Sequence, residues 1–286
     1  MNEVVLDVAS IGFGVQSSTI LLLAANDIIE RPDYSVFVDL KRESIEVYDY
    51  IEYFKPYLRE RGIEVQTYST VDILDHVLNY ETNDRTSGIP LWFIAPSTGK
   101  VTGLNRQCTF DFKIASVEKT IRQRLGQRQL KRHSIRVWQG ISTDELGRCK
   151  ALYTGKFRIN HYPLIDIYAN ITAPGNRWVN YSRFNCIEAF KKAGLKTPPK
   201  SSCIFCPFHD ILYWIHLRDT QPAEFELCCQ LDEAIRNYKD LEYGPFYLLK
   251  WCIPLRDADL DKLAYKKFGN DAKFDFEGCN SGFCFV

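Results

Sequence analysis

Short apolar runs alternate with longer helical patterns over the first seventy residues, and this alternation limits the fold more than any other feature of the chain. Val4-Val5-Leu6-Asp7-Val8-Ala9 reads as a buried strand, and Ser17 through Ala25 as the helix after it, closed by Asn26-Asp27. Ser35–Asp39 reads as a second strand and Ile63–Tyr68 as a third. Between them, Ser44–Arg61 places Ile45, Tyr48, Ile51, Phe54 and Leu58 at spacings of three and four, which predicts a long amphipathic helix. Gly62 stands where such a helix stops. The pattern predicts an α/β fold with a doubly wound, mostly parallel sheet and right-handed crossovers.

Further along, residues 80–106 are rich in Gly, Pro, Thr and Asn and read mostly as loop. Phe112–Leu125 reads as helix, Ser134–Ile141 as a strand ending in a polar turn, and 160–178 as irregular. Ser182–Ala193 reads as a helix with Ser182 as N-cap and Gly194 as its stop, followed by helices at Ile211–Leu217 and Pro222–Tyr238. A chain of 286 residues can bury one large core with an appendage, or two small ones. The expected division is a nucleotide-binding α/β domain over 1–175 and a helical, cysteine-bearing region over 176–286, with a single integrated domain as the alternative.

A net charge of zero gives no global field toward nucleic acid or membrane. The charge is uneven, however. Residues 100–136 carry ten Lys and Arg against Asp111 and Glu118, which suits either a nucleic-acid surface or a solvated helix face. No apolar run reaches the roughly 18–20 residues of a membrane span, and the first residues lack the pattern of a secretory signal. The expected setting is cytoplasmic, so the ten cysteines are expected to be reduced and available as ligands.

Two motifs carry chemistry. Ser10-Ile11-Gly12-Phe13-Gly14-Val15-Gln16-Ser17-Ser18 joins the first strand to the first helix. Gly12 and Gly14 let a phosphate approach the backbone, and Ser17 and Ser18 add hydroxyls where a helix N-terminus favours an anion. A structural tight turn is the other reading. Cys203-Ile204-Phe205-Cys206-Pro207 aims two thiols at one point, as metal or cluster ligands require. Buried small side chains are the alternative there. Asp144, Glu145 and Arg148 follow a strand end and suit either ligand contacts or helix capping.

The first motif resembles the PP-loop, S-G-G-x-D-S, of the ATP pyrophosphatase and phosphoadenylylsulfate (PAPS) reductase superfamily. Gly12 through Ser17 fill its six places, and Gly14 and Ser17 match. Phe13 stands for a Gly, and Gln16 for an Asp that offers a magnesium contact. Arg106-Gln107-Cys108 through Lys113 resembles the R-x-C-C-x-x-x-K segment of iron–sulfur adenylylsulfate reductases, with Thr109 for the second Cys. Gly140–Arg148 resembles the family's G-x-R/S-x-x-E-x-x-R turn, and Tyr162-Pro163-Leu164-Ile165 its P-L strand. The chain is most similar to the PAPS reductase-like branch, often phage-borne and related to DNA phosphorothioation sulfurtransferases.

The resemblance implies an enzyme that binds ATP or a PAPS-like adenine nucleotide, with Mg2+ as a further candidate cofactor. Ser10, Gly12, Gly14, Gln16, Ser17, Ser18, Asp39, Gly140 and Ser142 would bind the nucleotide, and Asp39, Asp144 and Arg148 would be catalytic. A [4Fe–4S] cluster, with zinc as runner-up, would sit on Cys108, Cys186, Cys203 and Cys206; Cys279 and Cys284 compete with Cys186 for the fourth place. The implied reaction is ATP-dependent adenylation and thiolation of a nucleic-acid or nucleotide acceptor, docked on the 100–136 stretch, with sulfur from a donor protein. Reduction of PAPS or adenylylsulfate to sulfite is one alternative. A non-catalytic nucleotide- or nucleic-acid-binding module with a structural cluster or zinc is another. A homo-oligomer is compatible with either.

Overall fold

The computed structural model describes residues 6–69, 71–79, 88–125, 135–154, 158–237 and 244–269. The chain forms two compact units. A sheet unit takes 1–39, 45–69 and 115–201, and a second, thiol-bearing unit takes 40–44, 70–114 and 202–286. The division is interleaved, and the helix after Ser182 belongs with the sheet.

The sheet unit is α/β. Strands β1 (Leu6–Ile11), β2 (Tyr34–Val38), β3 (Val65–Tyr68), β6 (Ile135–Trp138), β7 (Tyr153–Thr154) and β8 (Arg158–His161) form one sheet in the order β3-β2-β1-β6-β8-β7. All neighbours are parallel except β7, which runs antiparallel to β8 at the edge. This arrangement is compatible with a doubly wound fold. From β1 the chain winds outward to β2 and β3 on one side, while β6 and β8 lie on the other. The switch point therefore falls between β1 and β6, the place where open α/β sheets bind ligands.

Composition explains how these elements pack. Helix α1 (Val15–Ala25) is apolar nearly all round and buries ten of its eleven residues. Helix α2 (Ile45–Glu60) is amphipathic and buries Val47, Tyr50, Ile51, Phe54 and Leu58. The buried stripe is rotated from the expected one: Ile45 is 49% exposed, because Tyr50 packs on Phe54 and Phe190 instead. Gly62 ends α2 at φ 76, as expected. Helix α4 (Ala115–Leu125) buries Val117 and Ile121. Helix α6 (Arg183–Lys192) starts with a capping box, Ser182 against Asn185, and is followed by Gly194 at φ 67. Its residues Cys186, Ile187 and Phe190 join the core formed by α1, α2 and the central strands.

One charged group sits in the middle of the sheet. Asp7 on β1 accepts from Arg136 Nε at 2.7 Å and Trp138 Nε1 at 2.8 Å, both on the neighbouring β6. The ion pair ties the two strands that flank the switch point. The stretch after residue 160, expected to be irregular, carries regular elements as far as Thr172 and is irregular beyond it. It holds the end of β8 and helix α5 (Asp166–Thr172), with Tyr162, Leu164 and Ile165 buried in the turn between them. The P-L segment is that turn rather than a strand.

The thiol-bearing unit is built differently. The expected loop ending at 106 contains an antiparallel hairpin, β4 (Trp92–Ile94) and β5 (Val101–Gly103). Its turn residues were legible, but the three-residue strands were too short for period-two alternation to show. Trp92 also pairs through its backbone with Tyr247. Helices α3 (Ile73–Leu78), α7 (Ile211–Thr220) and α9 (Leu260–Phe268) each begin at an aspartate that accepts a backbone N–H: Asp72, Asp210 and Asp259. Helix α8 (Pro222–Ala234) carries Pro222 in its first turn. Within α8, Asp232 is 1% exposed and accepts from Leu248 N at 2.7 Å, Leu255 N at 3.0 Å and Arg236 Nη2 at 2.7 Å. Among the described residues no helix is long and apolar enough to cross a membrane.

Candidate functional site

The sheet unit brings the loop after β1 and the loop after β6 together at the switch point. Gly140 shows how closely. A Cβ added there would lie 2.6 Å from Ser17 N and 2.7 Å from Ser17 Cα. Only glycine lets the β6 loop rest on the first turn of α1. Helix α1 starts at Gly14, which has no side chain to cap it. Ser18 N closes the first helical turn onto Gly14 O at 2.9 Å, and Ser17 Oγ accepts from Gly12 N at 3.3 Å. An uncapped helix start behind a glycine loop offers backbone N–H groups and the positive end of the helix dipole. Ser18 Oγ is fully buried and has no hydrogen-bond partner among the described residues.

Phe13 holds a left-handed backbone, φ 59, and its fully buried ring meets Phe37 edge-on at 5.3 Å. The loop thus keeps a conformation suited to glycine and fixes it by packing. Replacing Phe13 with Gly should relieve roughly 1–2 kcal/mol of left-handed strain. It should also forfeit about 3–5 kcal/mol of buried aromatic packing. Urea unfolding should therefore show Phe13→Gly less stable than the parent by about 1–4 kcal/mol; equal midpoints would mean the packing of the ring only offsets the strain of its backbone.

Gln16, the second residue of α1, is 3% exposed and lies at the centre of a polar network. Its Nε2 donates to Glu145 Oε2 at 2.9 Å and its Oε1 accepts from Arg183 Nη1 at 3.0 Å. Glu145 is also ion-paired with Arg148, whose Nη1 lies 2.7 Å from Oε1. Burial raises the Glu145 carboxyl above its usual range, while Arg148 pulls it back. Asp144 accepts from Ser142 Oγ at 2.6 Å and, with both oxygens, from Arg183 N at 3.1 Å. Asp144 therefore anchors the start of α6, and Arg148 is bound to a neighbouring carboxylate. The turn Thr143–Arg148 that carries them is 3-10 helical, with a kink at Glu145.

The other expected nucleotide-binding residues are also in the sheet unit. Ser10 lies in β1, one residue before its end. Asp39 follows β2, where its N–H donates to Tyr68 O at 2.8 Å and its Oδ1 accepts from Tyr48 OH at 2.9 Å. Arg183 and Ser201 were missed in the sequence. Ser201 Oγ sits 3.2 Å from where a Cβ on Gly12 would be, so it covers the loop. No local pattern signals either residue, since Arg183 meets Gln16 across 167 positions.

The expected cysteines divide between the units. Cys108, Cys203 and Cys206 all lie in the second unit. Cys206 N donates to Cys203 O at 3.0 Å, which closes the turn. His209, 7% exposed, places its Nε2 at 2.8 Å from the same carbonyl, so that nitrogen carries the proton. The His209 ring stacks on Tyr213 at 3.6 Å. Trp92 Nε1 donates to Pro207 O at 2.8 Å. On the other side, Ile204 N donates to Arg42 O at 2.8 Å, and Cys203 bridges Glu43. Cys108 directly precedes a π-helical turn, Thr109–Ile114, a geometry common at functional sites.

Lys113 on that turn binds the fully buried Glu43 carboxylate at 3.0 Å. Burial pulls its ammonium down, but Glu43 and Cys203 outweigh burial and hold it above the ordinary lysine value. Burial also pushes the Cys203 thiol well above its usual range. Lys113 opposes that shift, while Glu43, Cys206 and Cys108 add to it. Three thiols and an ammonium thus act on one another. The donor chemistry suits a metal or cluster, yet among the described residues no three His, Cys, Asp or Glu side chains are grouped tightly enough to hold a metal ion.

Cys186 belongs to the sheet unit, fully buried in its core. Burial pushes its thiol up to about 12, with the Thr19 hydroxyl pulling the other way. Cys279 and Cys284 lie outside the described residues. Two cations of the basic stretch are used internally: Lys113 by Glu43 and Arg136 by Asp7. Arg128, Lys131 and Arg132 lie outside the described residues.

Fold and site together define an α/β protein with a mostly parallel six-stranded sheet and a glycine-opened helix end at its switch point. No protein-family model matches the chain, and no curated protein matches it.

Proposed function

We propose that the chain is a nucleotide-binding, iron–sulfur enzyme of sulfur transfer, of the PP-loop, PAPS reductase-like type. The observation that carries this reading is the uncapped start of α1 behind Gly12 and Gly14, at the switch point and pressed by Gly140. ATP phosphates would lie on the N–H groups of that first turn, with Ser17 and Ser18 beside them and Asp39 toward the adenosine. An acceptor oxygen would attack the α-phosphorus and release pyrophosphate. A sulfur nucleophile would then displace AMP. Cys108, Cys203 and Cys206 would hold the cluster, which when bound supplies iron sites for sulfur. Lys113 and Glu43 would fix the turn that carries Cys108 beside the Cys203 strand.

A second reading, a non-catalytic nucleotide-binding module with structural zinc on the same thiols, draws on Phe13 and Gln16, which depart from the catalytic loop pattern. Anaerobic purification with iron, sulfide and zinc analysis separates the two. The expected result is about four irons per chain, lost in Cys203→Ser and retained in Cys186→Ser. Protein without iron that still turns over, or with no ATP–pyrophosphate exchange for any acceptor tried, would sink the sulfur-transfer reading.

A further inference from the structure

Three segments of the second unit meet at Trp92, and none of them carries a carboxylate side chain. Residues 88–110, 202–209 and 244–255 together contain Lys100, Arg106 and Lys250 and no Asp or Glu. Trp92 N donates to Tyr247 O at 2.9 Å, and Tyr247 N returns a bond to Trp92 O at 2.8 Å. On the other side, Trp92 Nε1 donates to Pro207 O at 2.8 Å. The Trp92 ring meets Phe208 edge-on at 5.7 Å, and Lys250 Nζ stands 5.6 Å from its centroid. The Arg106 guanidinium lies 5.9 Å from the Phe208 ring. Rings and cations thus share one face. Phe208 comes two residues after Cys206, and Arg106 two before Cys108.

The face is open to solvent. Phe110, on the π-helical turn after Cys108, is 66% exposed. Ile94 and Val101, partners across the hairpin, are 49% and 44% exposed. Lys100 and Lys250 are exposed too, and neither forms an ion pair among the described residues. Of the flanking acids, Asp210 is held by Lys267, and Asp111 stands beside Phe110 against three cations. Exposed rings beside positive charge suit a single strand, because its unpaired bases stack on the rings while its phosphates meet the cations. A duplex hides its base faces, and an acidic peptide offers charge without them.

We propose that this face binds a single-stranded nucleic acid and brings it beside the thiols of the second unit. Lys100 and Lys250 meet its phosphates, and Phe110 stacks on a base. The proposal rests on the sulfur-transfer reading above and names the class of acceptor.

The test is fluorescence anisotropy of the full chain with a labelled single strand of about twelve nucleotides, as DNA and as RNA. The matching duplex and a polyglutamate peptide serve as competitors. Phe110→Ala should weaken the single strand about tenfold. Lys100→Glu combined with Lys250→Glu should weaken it by about tenfold or more in low salt and lower the salt slope by about one per lysine. All three side chains are exposed, so these variants should melt with the parent. Lys262→Glu, on the exposed side of α9, should leave binding unchanged. Tighter binding of either strand supports the proposal and tells which sugar the acceptor carries. Duplex or peptide bound as tightly as the single strand overturns it, and so does indifference to both the Phe110 and the lysine variants. Iron and ATP–pyrophosphate exchange without single-strand binding sink this proposal alone. Single-strand binding without iron or exchange keeps the surface and sinks the enzyme reading.

Discussion

Gly140→Ala is expected to cost nucleotide binding and stability together. The added methyl would lie 2.6 Å from Ser17 N, 2.7 Å from Ser17 Cα and 3.0 Å from Gln16 C. All three are backbone atoms, so no rotamer change relieves the clash. The β6 loop must lift from α1, or α1 must shift along its axis. Overpacking of this kind costs about 1–3 kcal/mol, which lowers the melting temperature by several degrees for a unit of this size. The same movement carries the first-turn N–H groups and Gln16 away from the β6 loop, so ATP affinity should fall at least tenfold. Gly147→Ala is the control, because a methyl added there would meet nothing within 4 Å. Thermal melts and ATP titrations of the two variants check this. Gly140→Ala protein that melts and binds like the parent would show that the two loops do not form one cradle.

Asp232→Ala should be the most destabilising single change in the second unit. The carboxylate satisfies two backbone N–H groups, at Leu248 and Leu255, and the Arg236 guanidinium. Arg236 in turn donates to Phe246 O at 2.7 Å. One buried side chain therefore fixes the returning segment 244–257 against α8. Its loss strands two amides and a cation, and breaking a buried charge pair costs about 3–5 kcal/mol. Asp232→Asn preserves shape but turns a donor toward groups that are themselves donors, so it should recover only part of the loss. Hydrogen exchange should show the Leu248 and Leu255 amides deprotected in the Ala variant. Unchanged protection there would mean that other contacts hold the segment.

The sequence announced what depends on neighbours along the chain. The central strands, α1, the stop at Gly62 and the capped start of α6 at Ser182 follow from apolar runs, glycine and capping chemistry within a few residues. The glycines of the β1 loop were legible for the same reason. What depends on distant neighbours was not. The role of Gln16 is defined by Glu145 and Arg183, which approach it only once β1 and β6 are paired. Nothing within a few residues of Glu43 announces its burial, yet its side chain is fully buried and paired with Lys113, and its backbone bridges Cys203. The phase of α2 depends on Phe190, more than a hundred residues away, and the hairpin at Trp92 on Tyr247. Cys186 lies in the core of the sheet unit, and in the sequence a cysteine at a helix start looks the same whether it lines a site or a core.

The interleaving of the two units has a consequence for how the protein is made. The path passes between them five times, at 39/40, 44/45, 69/70, 114/115 and 201/202. The central strand β1 leaves the ribosome well before β6, and one of its edges is covered only when β6 arrives about 130 residues later. At typical elongation rates of about 5–20 residues per second, that edge waits some seconds to tens of seconds in an open, apolar state. An unprotected central strand in a nascent chain is a template for mispairing. Yield of this protein should therefore respond to growth temperature and chaperone supply more strongly than its folded stability alone would suggest.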